Sequence, residues 1–379
     1  MTHTGSTGTD GGPAVATAGA TIPAATEPTA AEAVAVAEGL AGTAVAGVVT
    51  AETAHSTGTS PTAFDVVIVG GGAAGLSAAV ALGRALRSVA VIDAGEPRNA
   101  PAEGVHNFLT RDGINPFELQ RMGRAEAESY GGTMIAGTAV AARRTSAGFA
   151  VTLGDGTVVS GRRLLVATGL TDELPDVAGL RSRFGRDALH CPYCHGWEVR
   201  GTEIGILASG PRAMHQALMF RQWSARITLF LHTAPEPTDD ELEQLAARGI
   251  TVVRGSVAAV VVVDDALIGV RMADGSRHPL DNIVVGPRFV ARSEVLESLG
   301  IHAEEHPTGA GTFVPSAPGG LTAVPGVWVA GNVADPMAQV VSSAAAGLMA
   351  GAGINADLTA ADLNEAVRVY RLADARTAS

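Results

Sequence analysis

The chain's only two cysteines stand as Cys191-Pro192-Tyr193-Cys194, flanked by His190 and His195. Thiols at this spacing can close a disulfide on themselves, and beside an α/β pattern such a pair reads as a redox dithiol. Two cysteines in 379 residues make no secreted disulfide framework, so a structural crosslink is disfavoured. Zinc needs four convergent ligands, and two adjacent pairs, His190-Cys191 and Cys194-His195, rarely converge on one tetrahedral centre; no metal is expected. His195 is placed to take and return the proton that thiol-disulfide exchange moves. The plainer alternative, a histidine beside a cysteine by chance, is the one adopted for His190.

Upstream, Val66-Val67-Ile68-Val69 runs into Gly70-Gly71-Gly72-Ala73-Ala74-Gly75. Gly70 permits a tight turn, Gly72 lets backbone approach a pyrophosphate, and Gly75 allows close packing of helix on strand, so that the helix N-terminus opened by Ala73 faces the negative charge. Asp93 ends the next β-like run, where a carboxylate can accept hydrogen bonds from an adenosine ribose. Glycine turns also occur without a ligand, but here strand, helix and acidic residue all fall in place for a dinucleotide. Together with the dithiol, this points to an electron path through a flavin.

Elements of regular period must carry these groups. From Phe64 onward, short β-branched runs alternate with helix-like segments, the signature of parallel sheets with crossover helices. A first unit is predicted as strand Asp65 to Val69, helix Ala73 to Arg87 and strand Ser88 to Ile92. A second is predicted as strand Glu203 to Leu207, helix Pro211 to Trp223 and strand Arg226 to Phe230. Arg162 to Gly169 reads as a strand ending in a small-residue turn, and Trp328 to Asn332 repeats it near the C-terminus. The second unit is thus expected to be inserted into the first. Residues 1–61, rich in Ala, Thr and Gly, cannot bury enough apolar surface to order themselves and are expected to form a disordered tail.

The net charge is -12, every basic residue is arginine, and no basic tract occurs, which excludes a nucleic-acid partner, a P-loop lysine and a Schiff-base lysine. No apolar run is long enough for a membrane span, and the cytoplasm is the expected location. Phe108, Tyr193, Trp197 and Trp223 read as core rather than pocket lining. His215 and His232 have no partner visible in sequence.

In order from Phe64 to Leu358, the glycine fingerprint, Ala167-Thr168-Gly169, the C-x-x-C and Ala330-Gly331-Asn332 resemble the low-molecular-weight thioredoxin reductase family of FAD-dependent pyridine nucleotide disulfide oxidoreductases. The resemblance implies an α/β fold of two Rossmann-like, three-layer domains. An FAD domain, residues 62–176 and 284–379, would enclose an inserted NAD(P)-type domain, residues 177–283, that carries the C-x-x-C. It further implies that Cys194 lies nearer the flavin and that Cys191 exchanges with substrate. Asn107, Thr168, Gly169, Gly331, Asn332 and Gln339 would contact the flavin, and the protein would be a homodimer.

Departures from that family narrow the function. Where its inserted domain carries a second glycine fingerprint, this chain has Ala208-Ser209-Gly210-Pro211-Arg212-Ala213, in which the first glycine is lost and Pro211 has no N–H. Where paired arginines would grip the NADPH 2'-phosphate, it has Leu231-His232-Thr233-Ala234-Pro235-Glu236, with no guanidinium fork and a nearby carboxylate. Asn332 replaces the usual aspartate at the flavin ribityl, and His195 replaces an acidic residue. These changes argue against NADPH. The combination resembles the thioredoxin-reductase-like dithiol oxidases that close the disulfide of gliotoxin-, holomycin- and romidepsin-type natural products. The resemblance implies electron flow from a small-molecule dithiol through Cys191 and Cys194 to FAD and oxygen. Two readings stay open beside it: a thioredoxin-disulfide reductase fed by NAD(P)H or ferredoxin, with Glu236 a loose ribose candidate and a thioredoxin-like protein as the less favoured partner, and a non-catalytic flavin redox sensor.

Overall fold

The computed structural model describes residues 63–210 and 212–377. The segment 1–61 read as a tail, and Pro211, lie outside the described residues.

In the first sheet, β1 (Ala63–Val69) leads through the glycine turn into α1 (Ala73–Arg84) and β2 (Val89–Asp93). The helix stops three residues earlier than the period predicts. Leu86 turns left-handed at φ 60°, and the Arg87 side chain leaves to hydrogen-bond Asn355, Thr359 and Asp362. Next come α2 (Pro116–Ser129), with the Asn115 side chain capping it through Phe117 N–H, and β3 (Thr133–Ala136). An antiparallel arm follows: β4 (Ala139–Thr145), β5 (Gly148–Leu153) and β6 (Val158–Val166). The spatial order is β3-β2-β1-β6-β5-β4. The long β6 serves two neighbours on one side, pairing with β5 through residues 158–161 and, through Leu164–Val166, with the Val327–Val329 strand near the C-terminus.

The chain leaves this sheet through β7 (Leu170–Glu173) and returns through a strand, Arg288–Ala291, that pairs antiparallel with it. Between them lie α3 (Leu180–Arg183), β8 (Ala188–Leu189), α4 (Pro192–His195), β9 (Ile204–Leu207), α5 (Ala213–Phe220), β10 (Ile227–Phe230), α6 (Asp239–Ala247) and β11 (Thr251–Val253). The antiparallel meander β12 (Val257–Val263), β13 (Ala266–Met272) and β14 (Arg277–Pro279) precedes β15 (Asn282–Val285). The second sheet is parallel throughout, in the order β11-β10-β9-β15-β8. The return strand is β16 (Arg288–Ala291), followed by α7 (Glu294–Glu297), β17 (Glu304–Glu305), β18 (Thr312–Phe313), β19 (Val327–Val329) and α8 (Val340–Thr377). A mixed sheet whose core strands are parallel and a second, wholly parallel sheet carried between β7 and the return strand, both covered by helices, make this an α/β protein of two Rossmann-like units.

Both faces of the central strands are buried, as crossover helices require. Val66 and Ile68 of β1 pack with Leu76, Ala78 and Leu82 of α1 and with Ile354 and Leu358 of α8, whereas Val67 and Val69 face Phe149, Val166 and Val295. In the second sheet Ile204 and Ile206 meet Ala213, Ala217 and Phe220 of α5, and Leu207, Phe230 and Val285 meet Val270 and Met272 of the meander. Among the described residues, no helix is long and apolar enough to cross a membrane.

Candidate active site

The glycine turn is shaped by contacts that only hydrogen atoms can satisfy. Gly70 has φ 107°, and a Cβ on it would lie 2.3 Å from the Ala167 carbonyl oxygen; one on Gly75 would lie 1.8 Å from the Gly70 carbonyl oxygen. A Cβ on Gly72 would instead meet nothing within 4 Å. Gly72 is the N-cap of α1 and caps it with no side chain, so the first N–H groups of the helix are left for a ligand. Asp93 bends back to this turn. Its Oδ2 accepts from Gly71 N–H at 2.6 Å, and its Oδ1 accepts from Gly95 N–H at 2.9 Å, from Gln120 at 3.2 Å and from Arg124. Oδ1 is thus saturated while Oδ2 keeps an acceptor position, the geometry a ribose hydroxyl needs. Gln120 and Arg124 sit on α2 and escaped sequence reading, because their partner lies a full element away.

Cys191 caps the N-terminus of α4 and Cys194 lies within it. Both thiols are free, and Cys194 donates to Cys191 Sγ at 2.7 Å. That bond pulls the Cys191 pKa from the ordinary 9.0 to about 7 against burial, helped by the N–H groups of Cys194 and Tyr193 and by the Arg98 charge. Cys194, which gives its proton to that bond and is itself buried, is pushed up. The reduced protein therefore carries one thiolate and one thiol near neutrality. Alkylation of the reduced enzyme by iodoacetamide is expected to rise with pH through a midpoint near 7 and to modify Cys191 first, as read by mass spectrometry of the peptide. A midpoint at the ordinary thiol value would show that the pair is not coupled.

The loop after β2 holds this short helix. Asn107, at φ 61°, donates from Nδ2 to the Tyr193 carbonyl oxygen at 2.7 Å, and Asp112 accepts its N–H at 2.8 Å. His106 lies 3.3 Å from Asp112 and 3.5 Å from Glu198. Burial lowers the His195 pKa, and the Glu198 carboxylate opposes that shift. His195 is consequently a neutral base at physiological pH. Asn107, assigned by resemblance to the flavin, has its amide on the dithiol helix, and its neighbours His106 and Phe108 line the cavity instead.

One cavity of about 1600 Å³ brings these parts together. Its lining includes Gly70, Gly72, Ala73 and Asp93 from the turn, Thr168 and Gly169 after β6, and Gly331, Asn332 and Gln339 before α8. Cys191, Cys194 and His195 share it, while Gly75 packs behind the turn. Thr168 donates its hydroxyl to the Arg292 carbonyl oxygen at 2.5 Å. Asn332 donates to the Asp335 and Ala338 carbonyl oxygens at 3.0 and 2.9 Å, which fixes the segment leading to Gln339. His190, left aside in the sequence, also lines the cavity. Its ring stands edge-on to Phe289 at 5.1 Å, its buried Nδ1 has no partner among the described residues, and burial pushes its pKa down to about 4. The residues fit FAD: a glycine turn and an uncapped helix N-terminus for the pyrophosphate, a free acceptor on Asp93 for the ribose, and space that ends at a dithiol.

Several expectations need correction. Tyr193 and Trp197 are not core; they are 59% and 65% exposed. Tyr193 sits on a four-residue helix with no face long enough to bury it and rests edge-on against half-buried Trp223 at 6.1 Å, whereas Trp197 lies in the turn after that helix, under Arg200 at 4.1 Å. Phe108 and Tyr193 line the cavity, contrary to the core reading. His232 does have a partner, accepting from Val257 N–H at 3.1 Å. A guanidinium does reach the segment after β10, Arg254 from beyond β11, but it pairs with exposed Glu236 at 3.0 Å. The helix of the second unit begins at Ala213, and α5 turns Arg212, His215 and Met219 toward the dithiol's cavity.

Comparison with known proteins agrees with this geometry. Residues 64–350 match the pyridine nucleotide-disulphide oxidoreductase family. Thioredoxin reductase sirT of Leptosphaeria maculans is 34% identical over 305 residues, covering 76% of this chain and 92% of that protein. Thioredoxin reductase tcpT of Claviceps purpurea is 32% identical over 301 residues, with the same two coverages of 76% and 92%. The crystal structure of HlmI superposes with a TM-score of 0.77 at 44% identity, covering 85% of this chain and 99% of that one. The resemblance read from the motifs is borne out: the chain belongs to the pyridine nucleotide-disulphide oxidoreductase family, as an FAD-dependent thiol-disulfide oxidoreductase.

Proposed function

We propose that this enzyme oxidises small-molecule dithiols to disulfides, with oxygen as final acceptor and without a nicotinamide. The observation that carries the proposal is the continuity of one cavity from the glycine turn through the dithiol to α5, where a second dinucleotide cradle would otherwise stand. One substrate thiolate attacks the Cys191–Cys194 disulfide at Cys191, forming a mixed disulfide and releasing the Cys194 thiolate. The second substrate thiolate then displaces the Cys191 sulfur. The product is the substrate disulfide, and both enzyme cysteines are left reduced by two electrons. Neutral His195, in the same cavity, takes a proton from an incoming thiol and so raises its thiolate fraction. Asn107 holds the Tyr193 carbonyl and so keeps both sulfurs in register with the cavity. FAD, held by the glycine turn and Asp93, would supply the two-electron acceptor through which the Cys191–Cys194 disulfide is re-formed, with oxygen taken to hydrogen peroxide.

The same proposal includes the division into an FAD domain, residues 62–176 and 284–379, about an inserted domain at 177–283, supported by the pairing of β7 with β16 where the chain leaves and returns. It includes cytoplasmic location and a homodimer, to which the exposed Leu363, Val367 and Tyr370 on α8 are suited.

Anaerobic titration of the flavin absorbance with dithiothreitol, NADPH and NADH in parallel tests the direction of electron flow. The expected result is bleaching by the dithiol only, with recovery and stoichiometric peroxide on admitting air. Rapid bleaching by NADPH or NADH would make the protein a reductase, and a dithiol-reduced flavin that does not turn over in air would make it a redox sensor.

A further inference from the structure

Three side chains surround Phe289 beside the dithiol: the His190 ring at 5.1 Å, the Arg98 guanidinium at 5.4 Å and the Arg212 guanidinium at 5.3 Å. His190, Arg98 and Arg212 line the cavity that holds Cys191 and Cys194. Their charges are balanced differently. Arg98 is gripped by Asp172 through two hydrogen bonds of 2.7 and 2.6 Å and also donates to Asn332. No carboxylate among the described residues pairs with Arg212. Its polar contacts are a 3.5 Å approach to Met337 Sδ and a 3.3 Å hydrogen bond to the Pro287 carbonyl oxygen, both weak for a fork with five donors. Burial correspondingly disfavours its charged form.

A half-buried guanidinium with no paired carboxylate among the described residues carries a desolvation cost that the Phe289 ring and one long carbonyl bond offset only in part. On the same ring, the buried His190 Nδ1 has no partner among the described residues. A guanidinium with spare donors and no paired carboxylate, and a ring nitrogen without a partner among the described residues, flank one aromatic ring and line the substrate's cavity, a place where an oxygen acceptor would be desolvated and held. Resting on the dithiol-oxidation proposal above, we infer that Arg212 is the anchor of a carboxylate-recognising subsite, so that the preferred substrates are small dithiols bearing an acid group. The guanidinium fork receives the carboxylate, the Phe289 ring walls the subsite, and His190, neutral here, offers a ring nitrogen at its edge.

Dihydrolipoate and dihydrolipoamide test this, because they present the same dithiol and chain and differ only in the charge of the terminal group. For the wild-type holoenzyme, kcat/KM is expected to favour the acid by about tenfold or more, the worth of one charge-assisted hydrogen bond. Arg212→Gln is expected to reduce the acid-to-amide ratio to about one, and Arg212→Lys, which keeps the charge without the fork, to an intermediate value. Isothermal titration of the oxidised enzyme with lipoate and lipoamide gives a readout independent of turnover and is expected to show the same order. A wild-type ratio near one, or a ratio that survives Arg212→Gln, would overturn the subsite. NADPH binding that disappears in Arg212→Gln would overturn it in favour of a nucleotide phosphate. If neither dithiol turns over but lipoate binds through Arg212, the subsite stands and dithiol oxidation falls; if neither turnover nor Arg212-dependent binding is found, both fall.

Discussion

Replacement of Cys194 or of Cys191 by serine is expected to lower the turnover of any dithiol by at least about a thousandfold while leaving the flavin bound. The chain has no third cysteine to substitute, so neither variant can form an internal disulfide. Serine is nearly isosteric, and both thiols are only half-buried, so packing is little disturbed. Cys191→Ser also replaces the thiolate acceptor of the 2.7 Å sulfur contact by a neutral hydroxyl, and the remaining Cys194 thiol loses the charge that opposes its own ionisation while its burial persists. Oxygen uptake with dithiothreitol, normalised to flavin content, measures the loss. Retention of activity within tenfold of wild type in both variants would take the dithiol off the electron path.

The second large effect belongs to the glycine turn. Gly75→Ala places a methyl 1.8 Å from the Gly70 carbonyl oxygen and 3.3 Å from Ile68 Cγ2. The nearer atom is backbone, so α1 must withdraw from β1 and the turn must open. Overpacking of this kind costs roughly 1–3 kcal/mol, and it acts on the segment that faces the pyrophosphate. Purified Gly75→Ala is expected to be nearly colourless, with a lowered Tm. Gly72→Ala provides the contrast, because its methyl meets no protein atom within 4 Å and its φ of -81° suits alanine. That variant is expected to keep the Tm of the flavin-free wild type and yet to hold flavin poorly, since the methyl occupies the ligand's approach. Equal flavin content in Gly75→Ala and wild type would remove this turn from the cofactor site.

What could be read in the sequence was what repeats within one element or one turn. Val66 to Val69 alternate sides of a sheet, the glycines follow at once, and Cys191 and Cys194 are three apart, so their chemistry needed no knowledge of the fold. Helix ends were harder, because Arg87 was drawn off α1 by Asn355, Thr359 and Asp362 on a helix at the other end of the chain. Convergence across long separations left no local trace. Phe289 meets His190 and Arg212 only because β16 returns beside β7, and Arg124 reaches Asp93 only because α2 packs beside the turn. Tyr193 and Trp197 are exposed because aromatic character implies burial only where an element is long enough to provide an inner face, and here there is one helical turn followed by an irregular turn.

The ring of donors around Asp93 has a kinetic consequence. Gly71, Gly95, Gln120 and Arg124 fix the carboxylate without help from any ligand, and the carboxylate in turn fixes the backbone of the turn. The ordering entropy that a floppy phosphate loop would lose on association is lost already at folding. Protein stripped of its flavin is therefore expected to keep the mould, and stopped-flow reconstitution with FAD is expected to show a single second-order phase with no slow unimolecular step.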